Sequence, residues 1–280
     1  MFPVLLELGP VKLHTYGLMI AIGFLIALNF MQRDAKKAGV DPNAVTEIAF
    51  WSLFIGILGT RVLHIIMYPE NYSWSNPLGW IAIWQGGLVF QGAIPAVLIY
   101  VWYTLRKRNI PFWIAPDFVM PWVPLAQAFG RMGCFFNGCC YGQRADDLPW
   151  ALRFPEGSPP FGAHTHYPDF LMGQQHVSFP VHPTQLYSVA LLVSICIILF
   201  LLRRYWNPFP GFTLPAFFML YGVKRFIVEM YRGDGNPTEL GMGLISNQQV
   251  FALLMVLAGA ALFAYLYRNP PKVSPPPATA

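Results

Sequence analysis

Apolar runs of 16 to 25 residues recur along this chain, at about 16–31, 45–67, 81–105, 112–130, 184–202, 212–230 and 248–267. A stretch of ~20 mostly apolar residues is what a helix needs to cross a bilayer's hydrocarbon, and only helices and closed barrels satisfy their backbone groups there. The chain is therefore expected to be an all-α integral membrane protein with about seven transmembrane helices. Composition agrees, with 55% hydrophobic residues, 11% charged residues and a mean hydropathy of +0.45. Such figures exclude a disordered chain, a disulfide-stapled secreted module and a soluble enzyme. The fourth run holds Pro116, Pro121 and Pro124, which predicts a kinked or broken helix whose freed carbonyls are taken up by neighbouring protein or water. The third carries Gly86, Gly87 and Gly92. Small residues four apart, Gly17 with Ala21, Gly23 with Ala27 and Ala260 with Ala264, predict close helix packing.

Orientation follows from the basic residues. Arg33, Lys36, Lys37, Arg106, Lys107, Arg108, Arg203, Arg204, Arg268 and Lys272, ten of the 18 Lys and Arg, fall on alternate sides of the helices. The opposite loops hold only Lys12, Arg144, Arg153 and Arg232. The positive-inside rule then puts the N-terminus outside and the C-terminus inside, a parity that seven helices satisfy. The same distribution accounts for the net charge of +5 without nucleic acid, since no basic stripe exceeds three residues. The first run lacks a preceding basic region and a small-residue cleavage site, so it reads as a retained helix. Residues 1–269 read as a single transmembrane domain. Within it, residues 143–183, rich in Pro, Gly and His, read as an ordered outside arm between the fourth and fifth helices, and 270–280 as a disordered tail. No internal repeat is visible, which weighs against an inverted-repeat transporter.

Four cations stand where the bias does not put them: Arg61, Arg131, Lys224 and Arg225 lie within or at the ends of membrane runs. At ~1.5 Å per residue, Arg61, Arg131 (read as closing the fourth helix) and Arg225 fall within ~10 Å of the outer interface. An intramembrane ionisable group is a functional candidate by default, against snorkelling to the headgroups as the bland reading. Tyr221, Arg225 and Glu229 recur every four residues, so they share a helix face on which Arg225 and Glu229 can pair. That pair is either structural or a device in which Glu229 orients a guanidinium fork toward a phosphate. Gly130, Gly133, Gly138 and Gly142 beside Arg131 allow close backbone approach to a ligand. Cys134, Cys139 and Cys140 lack the paired spacing of a zinc site and Cys196 sits in an apolar run, so no metal site is expected and buried free thiols are the leading reading, ahead of a Cys134 disulfide. His164 and His166 read as a flexible surface pair.

These segments, together with Leu13-His14-Thr15-Tyr16-Gly17, Ile83-Trp84-Gln85-Gly86-Gly87-Leu88-Val89-Phe90-Gln91-Gly92, His182-Pro183-Thr184-Gln185-Leu186-Tyr187 and Gly243-Leu244-Ile245-Ser246-Asn247-Gln248-Gln249, resemble the prolipoprotein diacylglyceryl transferase family over nearly the whole chain. The resemblance implies a bacterial inner-membrane enzyme, active toward the periplasmic leaflet. It would move the diacylglyceryl group of phosphatidylglycerol onto the lipobox Cys thiol of a prolipoprotein, releasing glycerol phosphate, with no cofactor and no nucleic acid. By position it implies that Arg131, Arg225, Gln91 and Glu229 are catalytic and that Tyr16, Arg61, Asn137, Gly142 and Tyr221 bind substrate. Three positions depart from the family pattern: Gln91 stands for a His, Cys134 for an Asn and Cys139 for a Glu. A Gln cannot serve as a general base at neutral pH, so Gln91 is expected to orient substrate. Deprotonation of the thiol then falls to water, Glu229 or the positive field. The alternative class is a non-catalytic descendant that binds phospholipid or prolipoprotein.

Overall fold

The computed structural model describes residues 4–8, 11–72, 78–82, 86–167, 170, 176–234 and 245–273. The 83–85 and 243–244 parts of the motifs and the tail from 274 lie outside the described residues. Among the described residues there are ten α-helices: α1 Thr15–Lys37, α2 Pro42–Met67, α3 Leu78–Ile81, α4 Ala93–Lys107, α5 Ala115–Val119, α6 Val123–Asn137, α7 Pro159–His164, α8 Thr184–Tyr205, α9 Thr213–Glu229 and α10 Asn247–Arg268. Among the described residues, α1, α2, α8 and α10 are long and apolar enough to cross a membrane, with mean hydropathies of 1.6, 1.7, 2.5 and 2.3 over 18-residue windows. Only 17–33% of those windows is buried by protein. Leu25, Leu58, Ile66 and Leu257 point outward with 61–68% of their surface uncovered, which suits lipid and not water. A small antiparallel hairpin, β1 Val4–Leu8 with β2 Val11–His14, precedes α1, an element the apolar runs do not foretell.

Two compact units are present, one built from the chain up to Phe30 and from Pro116 to Pro271, the other from Met31 to Ala115. In the first, α1 runs antiparallel to α6. A Cβ at Gly23 would stand 2.6 Å from Phe129 Cβ, and one at Gly133 2.9 Å from the Tyr16 ring, while Phe30 stacks on Trp122 at 4.4 Å. The expected break in the fourth run falls between Val119 and Val123, with Pro121 in the intervening turn and Pro124 in the first turn of α6, where a helix tolerates proline. Past the break α6 continues to Asn137. Arg131 therefore lies inside the helix and does not close it, because neither Gly130 nor Gly133 takes a left-handed conformation; Gly138, at φ +77°, does.

The α9–α10 contact also depends on glycine. A Cβ at Gly222 would meet the Ala252 carbonyl at 2.7 Å, and one at Gly259 would meet the Pro215 carbonyl at 2.9 Å. The inward stripe of α10 is Ala252, Gly259 and Leu266, whereas Ala260 and Ala264 face outward. Gly17 likewise touches nothing, so small-residue spacing located one of three packing faces. Ser246 caps α10 reciprocally with Gln249 at 2.9 and 3.2 Å, which gives the closing motif a structural reason.

In the second unit the third run is not one helix. Gly86 and Gly87 adopt φ of +86° and +70°, a three-residue turn of helix spans Phe90–Gly92, and regular helix begins only at Ala93. There α2 and α4 cross backbone to backbone, with a Cβ at Gly59 falling 2.5 Å from the Gly92 carbonyl. Arg108 pairs with Glu47 near the start of α2, so the basic end of α4 lies beside the loop that follows Lys36 and Lys37.

Candidate functional site

In the first unit, the N-termini of α1 and α8 and the C-termini of α6 and α9 gather at one end. The partial positive charge of two helix N-termini meets the partial negative charge of two C-termini there, so the side chains set the sign of the field. Arg225 Nη2 lies 3.1 Å from Glu229 Oε2, with 14% and 13% of the two side chains exposed, so the i,i+4 pair read from spacing forms. Glu229 Oε2 makes no further hydrogen bond among the described residues. Lys224 is 2% exposed, over the Tyr221 ring at 5.4 Å. Arg131, Arg225 and Arg232 are its cationic neighbours. Arg232 is held bidentately by Asp234 at 2.9 and 3.2 Å.

Four cations thus face two carboxylates, Glu229 with Arg225 and Asp234 with Arg232. Among the described residues neither Arg131 nor Lys224 has a carboxylate within ion-pair distance. Burying Lys224 away from lipid headgroups also sets the snorkelling reading aside. Uncompensated buried cations are costly unless an anion joins them. Tyr16, 43% exposed, borders the cluster, with Arg131, Cys134, Cys139 and Cys140 as its charged and polar neighbours. Asn137, also exposed, ends α6 as a polar neighbour of Cys139, whose thiol donates to the Cys134 carbonyl at 3.8 Å. Tyr221 packs on Phe217 at 5.4 Å on the face it shares with Arg225. The structure therefore brings together Tyr16, Arg131, Asn137, Tyr221, Arg225 and Glu229, and adds Lys224, one of the four out-of-place cations, to which the sequence assigned no role.

Gly142 has a different part. Its N–H donates to the His182 carbonyl at 3.0 Å, and the Gly233 N–H donates to the Tyr141 carbonyl at 3.2 Å. A Cβ at Gly142 would sit 2.6 Å from both the His182 and Tyr231 carbonyls. Three backbones cross there, which a larger residue prevents. The His-Pro-Thr-Gln-Leu-Tyr motif supports the same loop: Thr184 Oγ1 donates to the Cys140 carbonyl at 2.7 Å and Gln185 Nε2 to the Cys139 carbonyl at 2.9 Å.

Arg61 and Gln91 belong to the second unit. Arg61 is buried and its guanidinium donates to four carbonyls: Nε to Trp80 at 3.1 Å, Nη1 to Gly86 and Gly87 at 2.8 and 2.9 Å, and Nη2 to Gly79 at 2.5 Å. Expected on substrate, it instead gathers a loop around itself, with Tyr72 beneath it at 5.0 Å. His64, which the sequence reading did not weigh, bonds Tyr72 Oη at 2.7 Å beside the same loop. Gln91 is exposed, directly before α4.

The three cysteines meet despite their spacing. Gly138 and Cys140, at φ +77° and +59°, turn the chain back past the end of α6, and the three Sγ atoms lie within 4.8 Å of one another. All four cysteines of the chain are free thiols.

The arm has its own core of Tyr141, Phe154 and Val181. His164 is not a surface residue there. It is 6% exposed, accepts a hydrogen bond from Phe179 N at 3.1 Å and is ringed by Tyr141, Tyr167, Phe170 and Phe179. Burial, then the Arg144 charge, pushes its imidazole below the ordinary 6.5.

A sequence model of the family described as prolipoprotein diacylglyceryl transferase matches residues 3–265. The chain is 35% identical to the phosphatidylglycerol–prolipoprotein diacylglyceryl transferase of Sodalis glossinidius, over 96% of this chain and 94% of that protein. It is 34% identical to the protein of that name from Pseudomonas paraeruginosa, over 95% and 94%, and 33% identical to that from Photobacterium profundum, over 97% and 96%.

Proposed function

We propose, from the premise that the chain belongs to the prolipoprotein diacylglyceryl transferase family, that it transfers the diacylglyceryl group of phosphatidylglycerol to the lipobox cysteine of a prolipoprotein. The observation that carries the assignment is an excess of positive charge, in which the buried Lys224 and the half-buried Arg131 have, among the described residues, no carboxylate partner beside the Arg225–Glu229 pair. A phospholipid phosphate diester is the anion that neutralises them. In the reaction, the lipobox sulfur attacks the glycerol carbon bonded to the phosphate oxygen. The C–S bond forms, the C–O bond breaks, and the electron pair leaves on glycerol phosphate. That leaving group gains negative charge in the transition state, where Arg131 and the Arg225 fork stabilise it most. Lys224 adds charge, Glu229 holds Arg225 in orientation, and Tyr16, Asn137 and Tyr221 shape the cluster's edge. Arg61 acts as a positioning residue for the loop before α4, and Gln91 orients substrate. Alkylation needs the thiolate, which the cationic field favours; Glu229 Oε2, free of other hydrogen bonds, is the site's proton acceptor.

The same reading gives seven crossings in a bacterial inner membrane, with the N-terminus periplasmic. The last turns of α1, α4, α8 and α10 carry Lys36 and Lys37, Arg106 and Lys107, Arg203 and Arg204, and Arg268, which supports placing those ends in the cytoplasm. The catalytic cluster, at the opposite end of α1 and α8, then faces the periplasmic leaflet. The decisive assay incubates the protein in phosphatidylglycerol vesicles with a lipobox peptide and reads intact mass. A diacylglyceryl thioether that requires both protein and lipid is expected, and its absence with folded protein refutes the proposal. Reporters fused after Gly162 and Ala280 test the topology, with activity expected only outside and only inside, respectively.

A further inference from the structure

We propose that Cys134, Cys139 and Cys140 form a three-sulfur binding site for a thiophilic d10 cation, Zn(II) or Cu(I). Their Sγ atoms lie within 4.8 Å of one another. Three sulfurs at Zn–S bonds of ~2.3 Å and tetrahedral angles stand about 3.8 Å apart, so side-chain torsions alone close the gap.

The backbone fixes this convergence. Cys134 sits in the last turn of α6, and Gly138 in the left-handed conformation ends the helix. Cys140 is one of two described non-glycine residues with positive φ, at +59°, a conformation that L-residues adopt only where the surroundings hold it. It is held by the buried Thr184 and Gln185 side chains through the carbonyls of Cys140 and Cys139. Ligands anchored in this way lose little freedom when they bind an ion.

Charge and access complete the site. Arg131 and Arg232 lie near Cys140, and Lys224 is a further charged neighbour, so thiolates there are counterbalanced. Asn137 is a polar neighbour of Cys139, placed where an outer contact can orient a metal-bound thiolate. Cys134 is buried, but Cys139 and Cys140 are only partly so, which leaves an entry path. Soft sulfur selects d10 ions over Mg(II) or Ca(II), and three protein ligands leave one position of a tetrahedral ion open. Each thiol gives up its proton when it binds, so one ion entering displaces three protons.

The test uses the full chain in detergent, fully reduced and freed of reductant, with Cd(II) as the probe. Expected are a sulfur-to-cadmium charge-transfer band that saturates at one ion per chain, release of about three protons, and protection of Cys139 and Cys140 from iodoacetamide in a peptide-mass readout. Cys134→Ser should weaken binding at least tenfold, the triple Cys→Ser variant should abolish the band, and Cys196→Ser should leave it unchanged. Cu(I) should displace Cd(II) at comparable concentration and Zn(II) only in large excess, because a sulfur-only site favours the softer ion, and the two competitions rank the ions. A reduced wild-type protein with all thiols titratable that shows no band and no protection overturns the proposal. So does a band that survives the triple substitution. The protection measurement needs no variant, so misfolding of a Ser variant cannot mask the answer, and none of these readouts depends on transferase activity.

Discussion

Replacing Arg61 by Lys separates a loop-holding role from a substrate-binding one. The guanidinium reaches four carbonyls on two sides, Gly86 and Gly87 through Nη1, Trp80 through Nε and Gly79 through Nη2. A Lys ammonium is a single point with three donors. It can keep the Gly86–Gly87 side or the Gly79–Trp80 side, but not both. Two part-buried carbonyls then lose a charged donor, each at about 1–3 kcal/mol. Because the bonds share one planar group and are not independent, the loss is about 2–4 kcal/mol. For a domain of this size that lowers a thermal midpoint by roughly 4–16 °C. The assay pairs thermal unfolding of detergent-solubilised protein with the intact-mass transfer assay on the same preparation. Destabilisation of this order is expected, with activity recovering toward wild type at low temperature and saturating lipid. An unshifted melting curve with transfer lost by a hundredfold would refute the reasoning and place the guanidinium on substrate.

Arg225→Lys keeps the charge but loses the fork; one charge-assisted hydrogen bond of about 1.5–3 kcal/mol predicts a fall in kcat/KM of roughly 10- to 150-fold, and a folded variant within threefold of wild type contradicts the phosphate role. Gly142→Ala forces a methyl against the His182 and Tyr231 carbonyls at 2.6 Å, so a loss of about 2–3 kcal/mol is expected on melting, and an unchanged midpoint excludes the crossing as a constraint. His164, held below its ordinary 6.5 by burial, is protonated more readily in the unfolded arm. Arm stability should thus be full above about pH 6.5 and fall as pH drops toward the lower folded value. Proteolysis of the arm should follow that curve in the parent and flatten in His164→Gln; identical curves refute the assignment. Gln91→Ala should cost one uncharged hydrogen bond, about 0.5–1.5 kcal/mol, whereas a hundredfold gain in Gln91→His with a new ionisation near ~6.5 would mean that a base is missing from this chain.

What the sequence made legible was set by solvent and by local backbone chemistry. Lipid leaves apolar runs that no soluble fold needs, so α2, α8 and α10 could be read within three residues at either end, while α1 runs six residues past its apolar run, through the polar turn that ends at Lys37. Proline acts within its own turn, so the break near Pro121 was legible as well. The extent of the third run was not, because the same apolar composition serves an irregular segment held by Arg61 as well as a helix, and only the left-handed Gly86 and Gly87 distinguish them. Packing stripes failed for a related reason. Gly17 and Gly259 look alike in sequence, but a glycine matters only where another backbone arrives, and the contact of Gly259 with Pro215 spans two helices. The cysteine cluster was least legible: its sulfurs converge through a reversal at Gly138 and through carbonyl anchors 44 and 46 residues away, which no ligand-spacing rule encodes.

The same contrast decides what an intramembrane cation means. Arg61, Arg131, Lys224 and Arg225 all oppose the topological bias, and by residue type they are equivalent candidates. Their partners divide them. Arg61 is surrounded by carbonyl oxygens, dipoles that satisfy a guanidinium without cancelling its charge, and its donors are directed inward to the chain. Arg225 is half neutralised by Glu229 and fixed in direction. Arg131 and Lys224 have neither kind of partner among the described residues, so their charge is completed only by something that arrives. A phosphodiester brings one negative charge in the ground state and gains more as its ester bond breaks. Under the proposed reaction a site with a surplus of cations binds the lipid and holds its transition state more tightly, and the surplus, more than any single arginine, is what that reaction calls for.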